Sequence, residues 1–260
     1  MSSLRQVWNE GATTLGAWLC VPSTVTAELV ARSGVDYVCI DTQHGAIDYS
    51  GAAPMIQAIL AGGSRPIVRV PWNEPGVIGK MLDAGAQGVI VPMVNSVAEA
   101  EAVVRACRYA PDGARSYGPM MAATRVEGDY VAWARDNVAV IPMIETTTAL
   151  EVLDDIVAVD GIDAVYVGPA DLSLTLDLPP RNNDDADSFT DAIGAVADAC
   201  ERAGVVAGIH STGELTPRRV ERGFRMVTVT ADNVAMRIGL AAELESARGD
   251  GSSGGDGSMY

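Results

Sequence analysis

The chain has few of the side chains on which most enzyme mechanisms depend. Its 260 residues include two histidines, His44 and His210, and one lysine, Lys80. The four cysteines are scattered, without the close spacing of a zinc or redox motif. No apolar run approaches the ~20 residues of a membrane span, and the first residues lack the basic flank and apolar core of a signal peptide. We therefore expect a cytoplasmic protein. Any mechanism that uses histidine or lysine must use one of these three residues.

Positive charge is also scarce, because the net charge is −16 and the sequence pI is about 4.4. Nucleic acids and anionic membrane surfaces both require a basic face on the protein, so neither is expected as a partner. An anionic substrate would need local positive charge from an arginine or a metal ion. At 48% hydrophobic residues, the chain is long and apolar enough to bury a large core.

Short apolar runs alternate with helical patterns along nearly the whole chain. The apolar runs are continuous, as in strands that are buried on both faces of a parallel sheet. Eight strand–helix units in about 250 residues predict a single-domain α/β fold, the (β/α)8 TIM barrel, with its active site at the C-terminal ends of the strands. The GxGxxG turn of a dinucleotide-binding sheet is absent from the sequence. The predicted strands are 15–19, 37–41, 67–70, 88–93, 140–144, 164–167, 205–209 and 226–230.

The barrel domain is predicted to span residues 1–248. The remaining residues, 249–260, form a Gly/Ser/Asp-rich tail that we expect to be disordered. A loop over 177–187 follows the sixth strand at the catalytic face, where it could act as a lid.

Two carboxylates end neighbouring strands in the segment 141–174. Glu145 follows the fifth strand, and Asp171 follows the sixth behind the turn Gly168-Pro169-Ala170. A right-handed crossover places both at the same end of the sheet. Paired oxygen ligands suit a Mg²⁺- or Mn²⁺-class ion. The alternative is that both carboxylates cap the helices that follow them.

Further polar residues fall at the ends of other strands. His44 follows the second strand in the run Asp41-Thr42-Gln43-His44, Arg69 ends the third, and His210 follows the seventh. An arginine inside an apolar strand requires an anionic partner, either a substrate or a structural carboxylate. His44 could instead be a loop residue bonded to backbone, and His210 could line the pocket without taking part in chemistry.

Several segments resemble a known family. The chain is similar, over residues 16–242, to the metal-dependent (class II) pyruvate aldolases of the 4-hydroxy-2-oxoheptanedioate aldolase family, which also contains 2-dehydro-3-deoxyglucarate aldolase and macrophomate synthase. The resemblance implies a TIM-barrel carbon–carbon lyase that joins or cleaves a 2-oxo acid such as pyruvate and an aldehyde. The segments that carry it are DYVCIDTQHGAID, RVPWNEP, MLDAGAQGVIVPMV, RYAPDGARSYGP, MIETTTALE and GIDAVYVGPADLSLTLD.

The resemblance also implies roles for individual residues. Glu145 and Asp171 correspond to the protein ligands of a divalent metal, Mg²⁺ or Mn²⁺, with Co²⁺ as a further option. Arg69 corresponds to the arginine that holds the 2-oxo group. His44 corresponds to the general base, which Asp41 and Asp83 orient, Asp83 from a neighbouring subunit.

Substrate contacts and assembly are implied in the same way. The backbone of the turn Gly168–Asp171, including the amides of Ala170 and Asp171, would receive the substrate carboxylate. The family forms hexamers built as dimers of trimers. Three residues depart from the usual family pattern: Gln43, Met143 and His210, the last on the aldehyde side. These departures bear on the second substrate more than on the metal.

Other activities remain open from the sequence alone. Oxaloacetate decarboxylation would use the same enolate chemistry, whereas a citryl-CoA-type lyase would need basic residues that this acidic chain offers sparingly. The turn 208–213 could bind a phosphate in a different kind of barrel, and a non-catalytic barrel could sense an acid ligand. Schiff-base chemistry is disfavoured, because the sole lysine, Lys80, lies on a helix away from the strand ends.

Overall fold

Eight parallel strands close into a barrel in the computed structural model, which describes residues 2–249. Each strand pairs with the next along the chain, and the eighth pairs with the first. The prediction of a (β/α)8 barrel is thereby confirmed. The strands are β1 (Thr14–Leu19), β2 (Tyr37–Asp41), β3 (Arg65–Arg69), β4 (Gly88–Val91), β5 (Ala139–Ile144), β6 (Ala164–Val167), β7 (Val206–His210) and β8 (Met226–Ala231).

Helices surround this barrel, and the helix after each strand returns the chain to the N-terminal end of the barrel. Within residues 2–249 they are α1 (Leu4–Asn9), α2 (Thr24–Ala31), α3 (Tyr49–Gly62), α4 (Pro75–Asp83), α5 (Val97–Cys107), α6 (Tyr130–Asn137), α7 (Thr147–Glu151), α8 (Leu153–Val157), α9 (Pro169–Thr175), α10 (Asp187–Ala203), α11 (Thr216–Glu221) and α12 (Asp232–Arg248), with a 3-10 turn at Ala123–Arg125. None of these helices is long and apolar enough to cross a membrane.

Most element bounds agree with the sequence patterns to within two residues, and three differences affect the site. The predicted helix over 147–157 is two helices, because the backbone of Val152 leaves helical geometry between them. The predicted fourth strand ends at Val91 rather than at Met93. Helix α9 was not predicted, and it starts at Pro169 directly behind β6. The predicted tail beyond Gly249 lies outside the described residues, and its disorder stays a prediction.

The barrel interior is filled by its own layer of side chains. Tyr37 and Tyr166, both fully buried, direct their hydroxyl groups to Thr228 Oγ1 at 3.0 and 2.5 Å. Gly16 makes room for this layer, because a Cβ atom on it would lie 2.2 Å from the ring of Tyr37. This polar contact closes the floor beneath the C-terminal rim, where the candidate site lies.

The close approach at Gly16 gives a stability prediction. We expect Gly16→Ala to lower the free energy of unfolding by roughly 1–3 kcal/mol, because the added methyl overpacks against Tyr37. Gly79, inside α4, is the matched control: nothing lies within 4 Å of the position that a methyl group would take there, so Gly79→Ala should raise stability by roughly 0.4–1 kcal/mol. Urea denaturation of both variants checks this, and equal effects of the same sign would contradict it.

Candidate active site

A cavity of about 380 Å³ opens at the C-terminal end of the barrel. Strand-end residues form its floor, and the loop after α9 together with the start of α12 forms part of its wall. Of the side chains predicted for the site, it brings together Asp41, His44, Arg69, Asp171 and His210, with Gly168 and Ala170 beside them. Its other lining residues are Trp18, Cys20, Met143, Tyr166, Pro169, Pro180, Arg181, Asn182, Ala231, Asn233 and Val234.

Arg69 is held at the end of β3 by a bidentate ion pair with Asp41 at the end of β2. Arg69 Nε and Nη2 donate to the two Asp41 carboxylate oxygens at 2.9 and 2.6 Å. Burial acts to lower the pKa of Arg69, but the hydrogen bonds and charge of Asp41 outweigh it and raise that pKa above its ordinary value. The guanidinium therefore stays charged. Its Nη1 makes no hydrogen bond to any described residue and remains available to a ligand.

Trp18 supports both Arg69 and His210. The Arg69 guanidinium lies 4.5 Å from the Trp18 ring centroid, and the His210 ring meets Trp18 edge-on at 4.9 Å. Burial, and secondly the positive charge of Arg69, lower the pKa of His210 to about 4. His210 is therefore neutral near pH 7 and presents an uncharged imidazole to the cavity.

Glu145 is a buried carboxylate with one of its oxygens unpaired. Oε1 accepts a 2.7 Å hydrogen bond from the Met93 amide, and Oε2 has no partner among residues 2–249. Burial, together with the negative charge of Asp171, raises the pKa of Glu145 to about 7 against the opposing effect of the Met93 amide and Arg69. The alternative role of helix cap is wrong for Glu145, because Thr146 caps α7.

Two backbone features make room for this carboxylate. Met93 adopts a positive φ of 55°, a conformation that costs roughly 1–2 kcal/mol in a residue other than glycine, and this turns its amide toward Glu145. At Gly168 a Cβ atom would lie 2.4 Å from Glu145 Oε2. Any larger residue at position 168 would displace that oxygen, so glycine at the end of β6 leaves Oε2 in its present position.

Asp171 lies in the first turn of α9, at the edge of the same cavity. The first intrahelical bond of α9 is donated by Leu172 to Gly168, so the amides of Ala170 and Asp171 precede it and are free of helical partners. The unpredicted helix α9 thus supplies both a carboxylate and a pair of backbone donors beside Glu145.

His44 lies at the exposed rim of the cavity rather than on its floor. Asp41 Oδ1 accepts the backbone amides of Gln43 and His44 at 3.1 and 3.2 Å, so Asp41 fixes the turn that carries the histidine. The predicted contact between a carboxylate and the imidazole itself is not among the hydrogen bonds of the described residues.

Asp83 does not join this group within one chain. It ends α4, at the opposite end of the helix from the cavity, and pairs with Arg115 at 2.7 Å. Lys80, one turn earlier, lies over the ring of Tyr49 outside the cavity. A role for Asp83 at the site would require a second subunit.

The donor set fits a divalent cation that keeps open positions. Glu145 Oε2 is buried, unpaired among the described residues and has space beside it at Gly168, so it could serve as a ligand oxygen for a cation. No cluster of three or more His, Cys, Asp or Glu able to hold a metal occurs within residues 2–249. Two carboxylates alone would leave the remaining positions for water and substrate oxygens.

Comparison with known proteins identifies the family. The model of the HpcH/HpaI aldolase/citrate lyase family matches residues 14–249. The chain belongs to this family. The prediction of a carbon–carbon lyase is thereby confirmed, and so is the resemblance on which it rested.

The chain aligns with its relatives over nearly their whole lengths. A hydroxypyruvate/pyruvate aldolase of Rhizorhabdus wittichii is 40% identical over 249 residues, 95% of this chain and 99% of the relative. A 4-hydroxy-2-oxo-heptane-1,7-dioate aldolase of Klebsiella pneumoniae is 36% identical over 246 residues, 93% of this chain and 92% of the relative. The crystal structure of a family protein from Burkholderia cenocepacia superimposes with a TM-score of 0.89 at 32% identity, covering 95% of this chain and all of that one.

Sequence reasoning did not assign several of the lining residues to the site, among them Trp18, Asn233 and Val234. Trp18 lies near the end of β1. The residues at the ends of the other strands were considered as site residues, and the same rule would have included Trp18. Asn233 and Val234 begin α12 and carry no chemical signal. The proposed lid over 177–187 is tied down by Asn183, whose amide donates to Ser173 Oγ and to the carbonyl of Pro179, both at 2.8 Å. In this structure the segment forms part of the cavity wall through Pro180, Arg181 and Asn182, and its role as a lid stays a prediction.

The raised pKa of Glu145 predicts how stability depends on pH. The folded-state pKa of about 7 exceeds the ordinary 4.5, so the folded chain binds the proton more tightly than the unfolded chain does. The resulting stability is complete below about pH 4.5 and is lost as pH rises through 7. In EDTA, wild-type protein should lose roughly 1–3 kcal/mol more between pH 5 and pH 8 than Glu145→Gln does. Thermal denaturation measures this, with exposed Glu151→Gln as control, and parallel wild-type and Glu145→Gln profiles would contradict it.

Proposed function

We propose that this chain is a divalent-metal-dependent aldolase, which forms or cleaves a carbon–carbon bond between a 2-oxo acid and an aldehyde. The 2-oxo acid is pyruvate or a close analogue, a class that includes the hydroxypyruvate named for the relative from Rhizorhabdus wittichii. The observation that carries the proposal is the unpaired, buried Oε2 of Glu145 beside Gly168, which lines the cavity together with Asp171 and Arg69.

Glu145 and Asp171 would hold the metal, Mg²⁺ or Mn²⁺ with Co²⁺ as a further option, and the bound ion would supply positive charge for a carboxylate and a keto oxygen. Arg69 supplies the second positive charge from its free Nη1. When a proton leaves C3 of the 2-oxo acid, negative charge develops on the keto oxygen, and a fixed guanidinium in a water-poor site stabilises it.

His44 is the general base in this scheme. Histidine is the residue type that exchanges protons near neutral pH, and the rim position lets its imidazole take the C3 proton and pass it to water. Asp41 acts on the base through the turn that it fixes and on Arg69 through the ion pair. His210 stays neutral beside Trp18, where it would border the second substrate, and the Ala170 and Asp171 amides beside Gly168 would receive the substrate carboxylate.

Competing activities receive less support. The two relatives are named for aldol chemistry, which favours an aldolase over oxaloacetate decarboxylation. A Schiff-base mechanism has no candidate, because the sole lysine of the sequence, Lys80, lies outside the cavity.

A homo-oligomer is part of the proposal, as a hexamer built from two trimers. The exposed apolar surface of α12 supports it: Met236, Leu240 and Leu244 recur every fourth residue and are 47–65% exposed. An apolar row of this kind is typical of a contact surface. Assembly is also the only route by which Asp83 could approach a His44. The cytoplasmic location expected from composition stays a prediction.

Metal-dependent proton exchange tests the proposed chemistry without knowledge of the aldehyde. In D₂O, proton NMR should show loss of the pyruvate methyl signal with Mg²⁺ or Mn²⁺, and none with EDTA. Glu145→Gln and Asp171→Asn should abolish the exchange because each removes a charged ligand, whereas Asp155→Asn, an exposed acid on α8, should leave it unchanged. Exchange that persists in EDTA would rule out the metal-dependent scheme.

The base assignment has its own test. His44→Ala should slow exchange by roughly 10²–10⁴-fold, the usual contribution of a positioned general base. Lys80→Ala is the control and should exchange at the wild-type rate, which would also exclude a Schiff base. A wild-type rate in His44→Ala would remove His44 from this role.

A further inference from the structure

Asn95 joins the two loops that hold Glu145. It lies in the loop between β4 and α5, while Thr146 follows Glu145 in the turn between β5 and α7. Asn95 Nδ2 donates to the Met93 carbonyl at 3.1 Å, and Thr146 Oγ1 donates to Asn95 Oδ1. One side-chain amide thus spans both loops, and we call these three residues the Asn95 bridge.

The partners fix which way the amide faces. The Met93 carbonyl can only accept, so the NH₂ group must point to it. Thr146 Oγ1 already accepts the Ala149 amide at 3.0 Å as the cap of α7, which leaves its proton for Asn95 Oδ1. A flipped amide would set two acceptors against each other at Met93 and lose the bond.

Through Met93 the bridge reaches the carboxylate itself. The same residue whose carbonyl is held by Asn95 donates its amide to Glu145 Oε1 at 2.7 Å, in the positive-φ conformation. A methionine prefers other conformations, so a contact to its carbonyl helps to retain this one. Through Thr146, which is 7% exposed, the bridge also fixes the backbone next to Glu145.

We propose that Asn95 is a positioning residue for Glu145. By holding Met93 on one side and Thr146 on the other, it keeps Oε1 hydrogen-bonded to the Met93 amide and leaves Oε2 as the ligand oxygen. Groups that orient metal ligands typically contribute 10–100-fold to metal affinity. The inference rests on the proposed function in one respect, that Glu145 binds the metal.

Metal affinity measured without substrate is the direct test. We expect Asn95→Ala to weaken binding of Mn²⁺, measured by isothermal titration calorimetry, by roughly 10–100-fold. Proton exchange at saturating Mn²⁺ should stay close to the wild-type rate, because Asn95 touches no reacting group. Asn73→Ala is the matched control: Asn73 donates to the Glu99 carbonyl of the neighbouring helix and makes no hydrogen bond to Met93 or Thr146 among the described residues. The affinity of this variant for Mn²⁺ should not change.

The other end of the bridge provides a second variant if Asn95→Ala does not fold. Thr146→Val removes the hydroxyl and should also weaken Mn²⁺ binding. Because both side chains act through one bridge, the double variant should lose less affinity than the product of the two single losses. Melting temperatures of the metal-free proteins distinguish a loss of positioning from general destabilisation. General destabilisation would lower the melting temperature and leave the affinity for Mn²⁺ unchanged.

The outcomes distinguish the two proposals. If wild type binds Mn²⁺, Glu145→Gln abolishes binding and Asn95→Ala binds as wild type does, the positioning role is wrong while the metal site stands. Independent, fully multiplicative losses in Asn95→Ala and Thr146→Val would also overturn the bridge. If wild type binds no divalent cation, the metal-dependent function and the role of Asn95 both fall.

Discussion

Because β8 pairs with β1, the sheet has no free edge among its eight strands, and all strand C-termini meet at one rim. Residues far apart in the chain, such as Trp18 and His210, come into contact there. Beneath this rim the barrel interior is filled, because the hydroxyl groups of Tyr37 and Tyr166 contact Thr228. The open space therefore lies above this layer, at the strand ends. The cavity is therefore a consequence of closure, and each strand contributes to it the residue at which it ends.

The barrel rim combines three carboxylates with one buried guanidinium. Asp41 and Glu145 lie near the buried guanidinium of Arg69, and Asp171 lines the same cavity as Arg69. Asp41 takes two of the three guanidinium nitrogens. Asp41 therefore positions Arg69 and compensates its charge, without filling its last donor. What remains is an excess of negative charge around Glu145 and Asp171, which a divalent cation would balance. A small anion with adjacent carboxylate and keto oxygens then suits both the cation and Arg69 Nη1.

The cost of holding Glu145 in this position is visible in its surroundings. Burial raises its pKa to about 7, Met93 adopts an uncommon backbone conformation, and a Cβ atom at position 168 would lie 2.4 Å from Oε2. Structural strain of this kind persists where the surrounding contacts enforce it, and it is typical of functional sites. The Asn95 bridge is the contact that enforces it here. A carboxylate that served only to cap a helix would need none of these features.

The sequence by itself determined the barrel and most of the rim. Continuous apolar runs predict buried parallel strands, and polar residues directly after them must lie at one end, so Arg69, Glu145 and His210 could be placed from local patterns. Helix α9 was missed because a seven-residue helix behind Pro169 has too little periodicity to detect.

Only the tertiary structure decided which of those groups touch. The bond of Arg69 to Asp41 depends on the register between β2 and β3, and the support by Trp18 depends on closure of the barrel. The amide of Met93 reaches Glu145 through a conformation that methionine does not favour locally. Asp83, which the family resemblance associated with the base, lies at the opposite end of its helix. Local patterns fix where a side chain leaves the backbone, whereas hydrogen bonds between distant segments exist only after the chain has closed.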